Sequence, residues 1–184
     1  MTYPVNAPVQ DRFAEGLLHT LIEEGPKVLN QPDNYDVRAN VMWAATMALN
    51  GLIGQGVPQD WATHMIGHEI TALYGLDHAQ TLAIVLPSLL QQQRAQKRDK
   101  LLQYGRRVWQ LQHQDEERLI DDAINHTRAF FEQMGVPTRL ADYGIKADAV
   151  DKLVAALQAN GMLKLGEHGD ITLDVSRQIL QRAV

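Results

Sequence analysis

Apolar residues along this chain recur at spacings of three and four, the period of a helix with one apolar face. Over 36–50 they fall at Val37, Val41, Ala44, Ala45, Ala48 and Leu49, which predicts a helix that Asn50-Gly51 brings to a stop. A helix over 10–24 is closed by Gly25-Pro26. Another begins after Pro58, carries Trp61, His64, Met65 and His68, and ends near Leu73-Tyr74-Gly75. The next covers 78–93, with Pro87 expected to kink or break it. An amphipathic, exposed helix over 97–111 turns Leu101, Leu102, Val108 and Trp109 inward. The segment 115–134 opens on acidic residues and closes at Gly135-Val136-Pro137, a favourable start and stop. Helices over 148–159 and Leu173–Arg182 finish the chain, each with an aspartate available as a cap. Strand-like alternation is almost absent, Ile171-Thr172-Leu173 being too short to argue from. With no internal repeat, low-complexity tract or long linker, the pattern predicts an all-α helical bundle forming a single domain over 1–184.

A hydrophobic share of 45% in 184 residues is ample for a packed core and excludes a disordered chain. The net charge of -5, from 17 basic and 22 acidic residues, favours neither nucleic acid nor an anionic membrane as partner. The one basic cluster, Arg94, Lys97, Arg98, Lys100, Arg106 and Arg107, reads as a solvated helix face. The absence of cysteine excludes disulfides, thiolate zinc sites and thiol catalysis. Residues 1–6 show no basic segment leading into an apolar run, so no signal peptide is expected, and no stretch is apolar for long enough to span a bilayer. The expectation is a cytoplasmic globular unit. Gly51-Leu52-Ile53-Gly54-Gln55-Gly56 lacks the order and the strand-to-helix context of a nucleotide loop, and reads as a helix-to-helix turn.

Chemistry concentrates in three histidines lying close together. His64 and His68 are four residues apart and share a helix face, and His78 follows a glycine-containing turn that can fold it back toward them. Imidazole is a common ligand for zinc and iron. On spacing alone, two readings stand: a metal site, or ordinary helix residues of which one is buried and hydrogen-bonded and the other exposed. His113, His126 and His168 are scattered, and Trp43, Trp61 and Tyr74 read as core or wall residues, with Trp43 and Trp61 also able to border a cleft.

Residues 61–87, WATHMIGHEITALYGLDHAQTLAIVLP, resemble the metal-site signature of the iron-containing (group III) alcohol dehydrogenases, in particular the butanol dehydrogenase and aldehyde reductase branch. The likeness includes the histidine spacing, the small residues Gly67, Thr71 and Ala72, the His78-Ala79 pair and the apolar run to Pro87. It extends through Asn40-Val41-Met42-Trp43-Ala44-Ala45, Gly56-Val57-Pro58-Gln59-Asp60 and Asp170-Ile171-Thr172-Leu173-Asp174. The resemblance implies His64 and His78 as metal ligands. It implies that His68 lies beside the metal and substrate, as a proton-transfer group or a hydrogen-bonding neighbour. Glu69 and Asp77 then either orient imidazoles or are solvated helix-end charges, the second being the simpler account.

The family resemblance further implies a two-domain enzyme, of which this chain matches the helical, dehydroquinate synthase-like half. The N-terminal dinucleotide-binding domain, with the NAD(P)H site and two further metal ligands, an aspartate and a histidine, falls upstream. Asp11 and His19 share those residue types but not those positions, and read as surface or capping residues. In such an enzyme Fe²⁺ or Zn²⁺ acts as a Lewis acid on a small alcohol or aldehyde, and the nicotinamide supplies the hydride. Two histidines alone leave too few ligands, so the chain by itself is expected to bind metal weakly and to lack dehydrogenase activity. Apolar side chains facing a missing domain would invite self-association or a nucleotide-domain partner. Two rivals differ in class: a non-catalytic helical interaction module or half of a split enzyme, and a stand-alone metal hydrolase using all three histidines.

Overall fold

Pro8 occupies the first position of helix α1 (Pro8–Asn30), where its missing N–H removes no intrahelical bond. It stands near the start of residues 6–184, the range that the computed structural model describes. The absence of a signal segment, read from residues 1–6, rests mostly on residues outside that range. Helix α1 does not stop at Gly25-Pro26, as the sequence suggests, but runs through both to Asn30. Proline forfeits one backbone bond there, and the packing of α1 on α2 (Tyr35–Leu49) outweighs that local penalty.

Helix α2 begins where Asn34 Oδ1 accepts from the N–H groups of Asp36 and Val37, and ends at Asn50 with Gly51 at φ +88°. Of its apolar stripe only Val37 and Ala44 are buried; Leu49 is 85% exposed. Residues 51–56 form the expected helix-to-helix turn, with one 3-10 turn at Leu52–Gly54.

The remaining elements are α3 (Ala62–Tyr74), α4 (His78–Gln92), α5 (Arg98–Arg107), α6 (Glu116–Gln133), α7 (Ala149–Ala159) and α8 (Leu173–Arg182). Two-residue strands β1 (Lys164–Leu165) and β2 (Ile171–Thr172) pair antiparallel, and Leu140–Tyr143 forms a second 3-10 turn. The fold is all-α. Pro87 does not break α4, where it is buried among apolar neighbours in sequence. Helix α7 starts at Asp148, but the Asp148 side chain makes no cap bond; α8 is capped by Thr172 Oγ1, which accepts from Val175 N–H, rather than by an aspartate. Among the described residues no helix is long and apolar enough to cross a membrane.

Two units partition these elements. The first runs to Pro58 and resumes over 97–126. Within it Gly105 lets α5 approach α6, since a Cβ there would overlap Leu119 Cδ2 and crowd Ala123 Cβ at 3.2 Å. Lys100 of α5 reaches Asp11 of α1 at 2.8 Å, both largely buried, so Asp11 is an interior ion-pair partner and not the surface residue read from sequence. His19 donates from Nε2 to the Arg107 carbonyl at 2.8 Å. Of the basic cluster, Arg98 pairs with Glu116 and Glu117, Arg106 with Glu116 and Arg107 with Glu15, while Lys97 is buried and not on a solvated face.

The second unit takes 59–96 and 127–184. Its core packs Ile66 and Ile70 of α3, Ile84 and Leu89 of α4, Leu153 and Leu157 of α7, and Ile179 of α8, all fully buried. Each such side chain contributes about 1.5–3 kcal/mol relative to exposure, so α3 and α4 are fixed from beneath before any polar contact is considered.

Candidate metal centre

The ends of two helices bring the site together. Asp60 Oδ1 accepts from the Ala62 N–H at 2.7 Å, satisfying one of the free donors at the start of α3. Trp61 is the N-cap residue, and its carbonyl accepts from Met65 N–H at 2.9 Å. His64 and His68 follow on the first two turns. Gly75, at φ +71°, ends α3 in the left-handed conformation that glycine adopts most readily, and the chain reverses within two residues. Asp77 then caps α4, its N–H donating to Gln80 Oε1 at 2.9 Å, so His78 becomes the first residue of that helix.

Gly67 sets how closely these helices meet. A Cβ at this position would lie 2.8 Å from Thr81 Oγ1 and 3.3 Å from Thr81 Cβ. Thr81 is itself fixed by donating from Oγ1 to the His78 carbonyl at 2.9 Å. Glycine in mid-helix is unfavourable by about 1 kcal/mol relative to alanine, and close helix contact is what it allows in return.

The three imidazoles converge. Ring centroids lie 5.2 Å apart for His64 and His78, 5.6 Å for His68 and His78, and 6.4 Å for His64 and His68. With metal–nitrogen bonds of about 2.1 Å, two imidazoles on one tetrahedral centre place their centroids about 5 Å apart. The His64–His78 separation suits a shared cation, whereas His64 and His68 stand too far apart. Among the described residues, no three His, Asp or Glu side chains are grouped to hold a metal ion together.

His64 is part-buried, and its Nδ1 is buried with no hydrogen-bond partner. Burial pushes its pKa below the ordinary imidazole value, the nearby His78 and His68 push it further, and Asp60 opposes them. The neutral ring keeps a lone pair for a cation on Nε2, the nitrogen that is not buried, while Nδ1 is a buried polar atom for which the described residues supply no partner. His68 and His78 are exposed.

Other residues singled out from sequence have different surroundings from those expected. Glu69 is buried and accepts from Asn160 Nδ2 at 2.7 Å, which ties α3 to the end of α7; it is not a solvated helix-end charge. Of the two readings of Trp61, core or the border of a cleft, its 47% exposure agrees with the second, and its indole lies edge-to-face against His64 at 5.0 Å. Trp43 lies on α2 and is 63% exposed. His113 and His126, read as scattered, both reach Asp122: His113 Nε2 lies 2.7 Å from its carboxylate, and His126 Nδ1 2.7 Å from its backbone carbonyl. A separate cleft of about 340 Å³, lined by Tyr74, Tyr143, Lys146 and Lys152 among others, contains none of the three site histidines.

Comparison with known proteins gives a consistent picture. A family model described as the Fe-containing alcohol dehydrogenase family, C-terminal, matches residues 3–184. The NADPH-dependent aldehyde reductase YqhD of Escherichia coli is 63% identical over 183 residues, covering all of this chain and 47% of that protein. A probable NADH-dependent butanol dehydrogenase of Bacillus subtilis is 36% identical over 158 residues, covering 85% of this chain and 41% of that protein. The solved structure of the substrate- and cofactor-free E. coli reductase superposes over the whole chain, and over 48% of its own, with a TM-score of 0.98. The chain thus spans about half the length of the relatives it matches.

Proposed function

This chain belongs to the Fe-containing alcohol dehydrogenase family, and on that premise we propose that 1–184 is the helical metal-binding domain of a cytoplasmic enzyme interconverting aldehydes and primary alcohols with NAD(P)(H). The observation that carries this reading is the pair of imidazoles, His64 and His78, brought from two helices to 5.2 Å. NADPH is the favoured cofactor, because the E. coli relative named for it shares 63% of its residues over this chain.

In this reading His64 and His78 hold the cation together with ligands from the part of such enzymes that this chain does not span. Fe²⁺ or Zn²⁺ bound there supplies Lewis acidity toward the carbonyl oxygen, while the nicotinamide supplies the hydride. His64 contributes a neutral ring, kept so by burial. His68 is the proton-handling group: it is exposed, one turn from His64, and its ring lies 5.6 Å from that of His78, so it stands beside the two ligands and not between them. Gly67 and Thr81 fix the helix approach on which the imidazole spacing depends. With only two protein ligands the isolated chain binds metal weakly and turns over no NADPH.

The test is a chimera in which this chain replaces the matching C-terminal segment of the E. coli reductase. NADPH-dependent aldehyde reduction by the chimera, abolished by His64→Ala or His78→Ala, supports the reading. A folded, metal-supplied chimera without activity contradicts it.

A further inference from the structure

The His64 ring is held in an unusual way for a metal ligand. A ligating histidine ordinarily has its second nitrogen fixed by a carboxylate, a carbonyl or water, which sets the orientation of the ring. Here Nδ1 of His64 is buried without a hydrogen-bond partner, Glu69 is taken up by Asn160, and Asp60 uses Oδ1 on the Ala62 N–H. Asp60 acts on His64 through its charge, and the ring contacts on His64 are aromatic: His68, His78 and the indole of Trp61, whose ring meets the imidazole at 66° and 5.0 Å.

We infer that Trp61 is a positioning residue of this site, its indole bracing the His64 imidazole edge-to-face at the spacing from His78 that one divalent cation requires. This inference rests on the metal-site reading above. Three features suit Trp61 to the task. Its backbone is pinned, because the Asp60 bond to Ala62 and the Met65 N–H on the Trp61 carbonyl hold both sides of the residue. Its ring has only two side-chain torsions, so little freedom is lost in holding it against the imidazole. And it is 47% exposed, more than a residue needed for core packing would be. The indole does in packing what a hydrogen-bonded carboxylate does elsewhere.

Zn²⁺ titration of the chain, followed by calorimetry and by NMR of the His64 side chain, tests this with Trp61→Ala, Trp61→Phe and His64→Ala. Trp61→Ala is expected to weaken Zn²⁺ binding by about three- to tenfold, the range of an edge-to-face aromatic pair, and to increase His64 ring mobility in the metal-free chain. Trp61→Phe restores most of both, and neither change moves the thermal midpoint appreciably, as expected of an exposed residue. Wild-type Zn²⁺ affinity and an unchanged His64 ring in Trp61→Ala would overturn the brace while His64→Ala still lost affinity. If His64→Ala itself left Zn²⁺ affinity unchanged, the metal-site reading would have failed instead, and the positioning role with it.

Discussion

Gly67 and Thr81 face each other where α3 crosses α4, so closely that a Cβ on Gly67 would lie 2.8 Å from Thr81 Oγ1. The contact stands one turn from His64, beside His68, and three residues from His78. Gly67→Ala is therefore expected to force the helices apart and to destabilise the protein by about 1–3 kcal/mol, despite alanine's better helix propensity. Denaturant unfolding measures it. Gly67→Ala with Thr81→Ser, which removes the methyl but not the hydroxyl, should recover little. Gly67→Ala with Thr81→Gly should recover the approach but lose helix stability. A single Gly67→Ala variant as stable as wild type would show that the helices can shift freely.

The Asp11–Lys100 pair is a second point of leverage, in the first unit. Both groups are largely buried, so removing one takes the counter-charge at 2.8 Å from the other in a poorly solvated site. Asp11→Ala is expected to lower stability by about 3–5 kcal/mol, and Asp11→Leu with Lys100→Met to lower it far less, because the pair as a whole is worth less than either half left alone. Equal losses in the single and double variants would contradict the pairing.

Helix stops were legible in the sequence because they are made locally. Gly51, Gly75 and Gly135 all adopt positive φ where a helix ends, as their positions after apolar periods suggested. Pro26 was misleading as a stop, and so was Pro87 as a break, for the converse reason: both lie inside helices whose packing outweighs the local penalty. Asp11 looked like a surface residue because its partner lies 89 positions away, and the exposure of most of the α2 stripe depends on what does not pack against it. At the candidate site, the convergence of the three imidazoles was readable, since it needs only a four-residue helical spacing and a glycine turn. The Trp61–His64 ring contact was not: sequence offered Trp61 only as a core or wall residue or one bordering a cleft. Gly67 could have been found from the fact that a glycine in mid-helix calls for a packing reason.

Acid sensitivity follows from His64. Its pKa is lowered, by burial first and then by His78 and His68, so the unfolded chain takes up the proton more readily than the folded one. The corresponding stability is fully present above the unfolded value of about 6.5 and is lost as pH falls from there through the folded value. Urea midpoints at about pH 7.5 and about pH 5.5 should therefore differ more for wild type than for His64→Gln. An equal drop in both would assign the sensitivity to other groups.

His68 should separate chemistry from metal binding. In the chimera with the E. coli reductase, His68→Gln is expected to lower kcat by about 10²- to 10⁴-fold while leaving metal content and Zn²⁺ affinity near those of wild type. Loss of metal together with activity would place His68 on the cation rather than beside it.

The account stands most directly on metal titration by calorimetry, with Zn²⁺ and with anaerobic Fe²⁺, of the chain and of His64→Ala, His78→Ala and His68→Ala. Weak binding is expected, abolished by either of the first two changes and retained in the third, in keeping with the 5.2 Å His64–His78 and 6.4 Å His64–His68 ring separations. Tight binding that is lost in all three variants would contradict it, and would mean that the three imidazoles hold a cation by themselves.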